Sequence, residues 1–194
     1  MEPSTKERLL EAGLVMLLKQ GYHHLGIQQL LAFTSVPKGS FYHHFKSKED
    51  FALQVIDRYM VEVHGALEAY LGDRAVAPLQ RVRRFFEVIR EKYRQEGYLG
   101  CLLGGLGQEL SGINEVFRSK IESCFSEIAR HIASCLEEAK QRGELAQDTD
   151  AERLANLLVN SWEGVALRTR LRRDPAPLQA MLDFYFRAGG VGSF

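Results

Sequence analysis

Apolar residues recur along most of this chain at the three- and four-residue spacing of amphipathic α-helices. The first stripe begins at a Ser4–Glu7 capping box and consists of Leu10, Leu14, Leu17 and Leu18. Gly21 follows it and predicts the end of that helix. No run alternates apolar and polar residues between turn signals, as a half-buried strand would. The pattern therefore predicts an all-α protein.

Residues 27–48 predict two short helices joined by a tight turn. Ile27, Leu30 and Leu31 form the apolar face of the first helix, and Thr34, Ser35 and Val36 form the turn. Pro37 suits the first turn of the second helix, in which Phe41 and Phe45 can pack inward. Lys38, Ser40, Tyr42 and His43 then face outward. This is the shape of a helix-turn-helix, whose second helix enters the major groove of DNA.

Six further helices are predicted downstream. A helix of roughly 24 residues, about 36 Å long, begins at Ser47 and ends at Gly72-Asp73. Others follow Pro78, span residues 114–142, begin near Asp148–Asp150, and close the chain before Gly189-Gly190. Between them, residues 98–112 contain five glycines among leucines and predict a kinked, buried helix near a cavity.

Composition and charge agree with a globular DNA-binding protein. Apolar residues make up 45% of the 194 residues and charged residues 26%. Residues 1–48 carry six Lys/Arg against three Glu, a net charge of +3, and the remainder carries −3. No acidic residue lies between Ala12 and Lys48, the stretch that would face phosphates. The chain has no bilayer-spanning apolar run and opens with no signal peptide, so we expect a cytoplasmic protein without a membrane partner.

The stretch VPKGSFYHHFKSKEDF resembles the recognition helix and following cap of the tetracycline-repressor-type (TetR) transcription regulators. The resemblance as a whole covers about a quarter of the chain strongly, and the helical remainder agrees with that family in length and order. Ser35 departs from the family pattern, since many members have Gly in the turn. Gly26 also departs from it, since many members have Thr or Ser at the start of the first helix of the motif. The resemblance implies an N-terminal three-helix DNA-binding domain, residues 1–48, and a helical effector-binding and dimerisation domain, residues 49–194.

The resemblance further implies a homodimer, paired through the last two helices, that binds a palindromic operator on double-stranded DNA. We expect the interface to use the apolar stripes of these helices, which are Leu154, Leu158, Trp162 and Val165 on one and Leu178, Leu182 and Tyr185 on the other. We predict that Tyr42 and Lys48 contact phosphates, while Lys38, Gly39, Ser40 and His43 approach bases. Gln28 and Gln29 are candidates for a further contact from the preceding helix. The family favours a repressor that a small-molecule effector releases from DNA.

The effector site is predicted within residues 50–194. The candidates are Trp162, Tyr93, Phe86 and His64, because they are large or polar groups on helices expected to face inward; the alternative for each is an ordinary core residue. Cys101 lies in a Gly-Cys-Leu motif similar to that of a branch of the family that responds to electrophiles or oxidants. It is therefore either a sensor thiol or a small packed residue of a ligand pocket.

The alternative function is a small helical redox protein or enzyme using Cys101. No nucleophile-elbow, phosphate-loop or HExxH motif supports that class, so we predict that the protein is not an enzyme and needs no cofactor. The three cysteines lack metal-ligand spacing, and His23-His24 have no third ligand nearby in the sequence, so no metal site is predicted.

Overall fold

The computed structural model describes residues 3–186, which contain nine α-helices and no strand. In chain order the helices are α1 (Thr5–His24), α2 (Ile27–Thr34), α3 (Lys38–His44), α4 (Lys48–Leu71), α5 (Pro78–Gln95), α6 (Leu102–Leu110), α7 (Glu115–Gln141), α8 (Ala151–Arg172) and α9 (Ala176–Tyr185). The predicted all-α class is confirmed for this part of the chain. The predicted end of the last helix at Gly189-Gly190 lies outside the described residues.

Side-chain caps start three of the helices where the sequence predicts them. At α1 the Ser4 hydroxyl accepts from the Glu7 amide at 3.2 Å, and the Ser4 amide donates to the Glu7 carboxylate at 2.7 Å. Ser47 and Asp150 accept in the same way at the starts of α4 and α8. These caps satisfy amides that have no partner within the helix, which confirms the predicted starts.

Helix α1 is interrupted where its end was predicted. Gly21 has φ +77° and ψ 178°, and a final turn, Tyr22–His24, follows the break. The positive φ explains why glycine occupies this position. His23 and His24, which follow the predicted helix end at Gly21, therefore lie in the last turn of α1.

The helices form two compact units that do not follow a single cut along the chain. The first unit comprises the described residues up to Glu62 together with Leu102–Glu122, and the second comprises Val63–Cys101 together with the described residues from Ser123 onward. Helices α4 and α7 contribute residues to both units. The division of function at residue 48 remains a prediction.

In the first unit, α1 packs against α2, α3 and α6 around an aromatic cluster. The rings of Phe41, Phe45 and Phe51 are fully buried, with centroids 4.9 to 5.4 Å apart. Gly13 allows α1 to approach them closely, because a Cβ atom there would lie 2.3 Å from Cζ of Phe51. Helix α3 is thus anchored through Phe41 in the core of this unit.

The second unit has a continuous apolar core built from α5, α7, α8, α9 and the end of α4. Arg81 is buried within this unit, with 1% of its surface exposed. Its guanidinium donates to the Leu71 carbonyl at 2.7 Å and lies 2.6 Å from the Glu138 carboxylate. The ion pair and the carbonyl together balance a charge that would otherwise be costly to bury.

Candidate DNA-binding face and effector site

A tight helix pair presents the predicted DNA-binding face. Ser35 ends α2 in the left-handed conformation, with φ +54°, and its amide bonds back to carbonyls of that helix. Pro37 is the N-cap of α3, one residue before the helical position predicted for it. Val36 and Phe41 are buried on either side of this turn. The positive φ at Ser35 accounts for the glycine that many family members have there.

Most of the predicted DNA contacts are exposed. Tyr42 is 51% exposed although its ring packs edge-on against Phe41, so it does not belong to the aromatic core. Exposed positions are also held by Gln28, Gln29, Lys38, Gly39 and His43, and Ser40 is half-buried. The face therefore offers hydroxyl, amide, imidazole and ammonium groups without an acidic residue. Their individual contacts to DNA remain predictions.

Lys48 is half-buried and already engaged within the first unit. Its ammonium donates to the His23 carbonyl at 3.3 Å and lies 4.5 Å from the centre of the Tyr22 ring. Burial lowers the pKa of Lys48, and the negative charge of Glu109 opposes that shift. The side chain is thus held at the junction between α1 and α2.

Glu109 of α6 is a residue of this region that the sequence reasoning missed. Its carboxylate accepts from the backbone amides of Tyr22 and His23 at 2.7 and 2.6 Å and lies 2.5 Å from Nδ1 of His23. A carboxylate near the end of a glycine-rich helix gives no sequence signal for a partner 86 residues away. Only the packing of α6 on α1 brings the two together.

Three of the four predicted effector residues form one aromatic group in the second unit. The rings of Phe86 and Trp162 have centroids 4.9 Å apart, and those of Tyr93 and Trp162 are 5.8 Å apart. All three side chains are buried. His64 is partly exposed, and its Nε2 lies 3.1 Å from the Glu127 carboxylate. An effector role for these residues remains a prediction.

Cys101 lies immediately before α6 and beside α8. The preceding residue, Gly100, has φ +84°, and a Cβ there would be 3.9 Å from the Ala166 carbonyl oxygen. The thiol is half-buried and hydrogen-bonds with Glu163. Burial raises the pKa of the Glu163 carboxyl to about 7, and the bond to Cys101 partly offsets this effect. A half-buried acid whose pKa is raised beside a thiol marks a candidate site, and the sequence had not singled out Glu163.

The other two cysteines are packed in the protein interior. Cys124 and Cys135 are buried, and Cys135 donates to the Pro78 carbonyl at 3.4 Å. Burial raises the pKa of Cys135 to about 11, which keeps its thiol protonated near neutral pH.

The apolar stripe of α8 expected at a dimer interface is mostly core. Leu158 and Trp162 are buried within their own unit, and Leu154 and Val165 pack against the same core. This part of the sequence interpretation was wrong, because a helix with apolar residues on two faces does not reveal which face turns inward. The exposed apolar side chains of α8 and α9 are Leu157, Leu167, Leu171 and Phe184.

The described part of the chain contains neither a metal-binding cluster nor a membrane-spanning helix. Residues 3–186 contain no group of three or more His, Cys, Asp or Glu that could hold a metal ion. They also include no helix that is long and apolar enough to cross a membrane.

Comparison with known proteins identifies the class. The sequence profile of the N-terminal domain described as "Bacterial regulatory proteins, tetR family" matches residues 9–55, and that of the "Tetracyclin repressor-like, C-terminal domain" matches residues 78–185. The chain is 32% identical over 183 residues to the HTH-type transcriptional repressor DhaR of Mycobacterium sp. (strain GP1), covering 94% of this chain and 91% of that protein.

Solved structures agree with this assignment. The regulatory protein TetR from Rhodobacter sphaeroides matches with a TM-score of 0.86 and 36% identity, over 90% of this chain and 93% of that one. The reduced form of E. coli NemR matches with a TM-score of 0.81 and 27% identity, over 92% and 94%. The fold and these relatives define a DNA-binding transcription regulator and not an enzyme. The chain belongs to the TetR family.

Proposed function

We propose that this regulator represses transcription in the cytoplasm by binding a palindromic operator as a homodimer, and that an effector releases it. The observation that carries the proposal is the exposed, acid-free face of α2 and α3 in a chain of this family. Tyr42 and Lys48 would contact phosphates, and Lys38, Gly39, Ser40 and His43 would approach base edges. Gln28 and Gln29 would add contacts from α2.

The exposed residues of α8 and α9 support dimerisation. Leu157, Leu171 and Phe184 are large apolar side chains on two helices that pack together, and each is about half exposed or more. Pairing with a second copy would bury them and place two recognition helices on one operator.

The effector would act within the second unit. Phe86, Tyr93 and Trp162 would line the pocket of a reversibly bound molecule, with His64 as a polar contact. Cys101 offers a second route, since Glu163 can take the thiol proton when sulfur is alkylated or oxidised. A solved structure similar to this chain is the reduced form of E. coli NemR, and this supports a thiol-dependent response.

DNA binding is tested with the duplex that the protein selects from a random-sequence library. Lys48→Ala should weaken binding to all sequences and lower the slope of log K against log salt by about one unit. Lys140→Ala, which removes the same charge from the end of α7, should change neither quantity. If the wild type selects no sequence, or selects one without inverted symmetry, the proposal of a palindromic operator fails.

The thiol route is tested by graded treatment with an alkylating reagent. Release from DNA should occur in the wild type and in the Cys124→Ser/Cys135→Ser double variant, and be lost in Cys101→Ser. If Cys101→Ser is released as readily as the wild type, Cys101 is a packing residue and the effector binds reversibly.

A further inference from the structure

The carboxylate of Glu109 holds the end of α1 at three points. The amides of Tyr22 and His23 donate to its two oxygens, and the His23 ring is within bonding distance of one of them. Hydrogen bonds to a charged acceptor are roughly twice as strong as neutral ones. Tyr22 is further confined by Phe117, whose ring centre lies 5.2 Å away. The last turn of α1 is therefore fixed by residues from α6 and α7.

Gly21 makes room for this carboxylate. A Cβ atom at Gly21 would lie only 2.6 Å from Oε2 of Glu109, and its φ of +77° is one that other residues rarely adopt. The backbone at the break in α1 is thus shaped to let Glu109 approach.

The residues that Glu109 fixes are those that hold Lys48. The His23 carbonyl accepts a hydrogen bond from the Lys48 ammonium, and the Tyr22 ring lies beneath the same group. An ammonium has three donors, so two remain for a phosphate oxygen. A lysine that is already restrained loses less conformational entropy when it binds phosphate.

We propose that Glu109 is a positioning residue for DNA binding, which fixes Tyr22 and His23 so that Lys48 is held ready to meet a phosphate. The inference rests on the proposed function, in which Lys48 contacts the DNA backbone. It makes a prediction opposite in sign to simple electrostatics. Removing a negative charge ordinarily favours binding to DNA, whereas loss of Glu109 should weaken it.

A double-mutant cycle tests the proposal with the full-length chain. Glu109→Ala, Lys48→Ala and the double variant are titrated with the duplex that the wild type selects from a random-sequence library, at several salt concentrations. Glu115→Ala is the charge control, since Glu115 pairs with Arg118 within α7. Thermal unfolding shows that each variant is folded. Glu109→Gln, which retains one oxygen acceptor, is measured in the same cycle and gives the result if Glu109→Ala does not fold.

Glu109→Ala should weaken binding about threefold to tenfold, as expected for one or two net hydrogen bonds, and lower the salt slope by up to about one unit. Glu109→Gln should show a smaller loss, and Glu115→Ala none. In the Lys48→Ala background, Glu109→Ala should have no further effect.

Three outcomes would overturn the inference. An equal loss from Glu109→Ala in both backgrounds would mean that Glu109 acts on the fold and not through Lys48. Tighter binding by Glu109→Ala would show that only its charge matters. If Lys48→Ala leaves affinity and salt slope unchanged, both this inference and the proposed phosphate role of Lys48 fail, whereas the first two outcomes leave that role intact.

Discussion

Replacing Gly13 by alanine tests how tightly α1 packs on the aromatic core beneath the recognition helix. The new Cβ would lie 2.3 Å from Cζ of Phe51 and 3.0 Å from Val55. The Phe51 ring has little room to withdraw, because it is fully buried against Phe41 and Phe45. The substitution therefore forces either a shift of α1 or a displacement of the rings that anchor α3.

The expected size follows from two opposing effects. Alanine in a helix interior is favoured over glycine by about 1 kcal/mol. Overpacking a close-packed core costs about 1–3 kcal/mol. Gly65 in α4 supplies the matched control, because a Cβ there meets nothing within 4 Å. Gly65→Ala should thus gain stability, and Gly13→Ala should be about 1–3 kcal/mol less stable than Gly65→Ala.

Urea unfolding followed by circular dichroism measures this difference, and binding to the selected duplex reports on the recognition helix. Gly13→Ala should unfold at a lower urea concentration than Gly65→Ala. It should also bind DNA more weakly than the wild type, while Gly65→Ala should bind as the wild type does. If Gly13→Ala proves as stable as Gly65→Ala, the contact with Phe51 is not the constraint described above.

Three further predictions follow from the same geometry. Lys38→Ala should relax base preference by about 1–3 kcal/mol at one or two operator positions in a repeated selection, and unchanged preferences would remove Lys38 from the base contacts. Leu171→Glu should give monomers in sedimentation while Ile113→Glu, similarly exposed but in the first unit, should not; a dimeric Leu171→Glu would contradict the proposed interface. Burial by itself would raise the pKa of Glu109, but the hydrogen bonds from His23 and Tyr22 outweigh burial and lower this pKa below its ordinary value. The stability that the carboxylate contributes is therefore lost as the pH falls through its folded pKa. Glu109→Gln should therefore flatten the acid side of the stability curve, and an unchanged acid side would show that Glu109 contributes no such stability.

The sequence alone determined the helical class, most helix boundaries and the helix-turn-helix. Those features are local, since a cap such as Ser4 with Glu7, or an apolar pair such as Phe41 with Phe45, involves residues no more than four positions apart. The exposure of Tyr42 followed from the same periodicity. The resemblance to TetR regulators depended on one such local stretch and was confirmed by profiles that match both halves of the chain.

Only the tertiary structure decided which distant residues meet and which face of α8 is core. Glu109 reaches His23 across 86 positions, and Glu163 reaches Cys101 across a stretch that contains α6 and α7. Helical spacing places residues around one axis but carries no information on what packs against that axis. The spacing therefore could not show that Leu158 and Trp162, expected at an interface, are buried in the core. Nor could it show that Leu157 and Leu171 on the same helix are exposed.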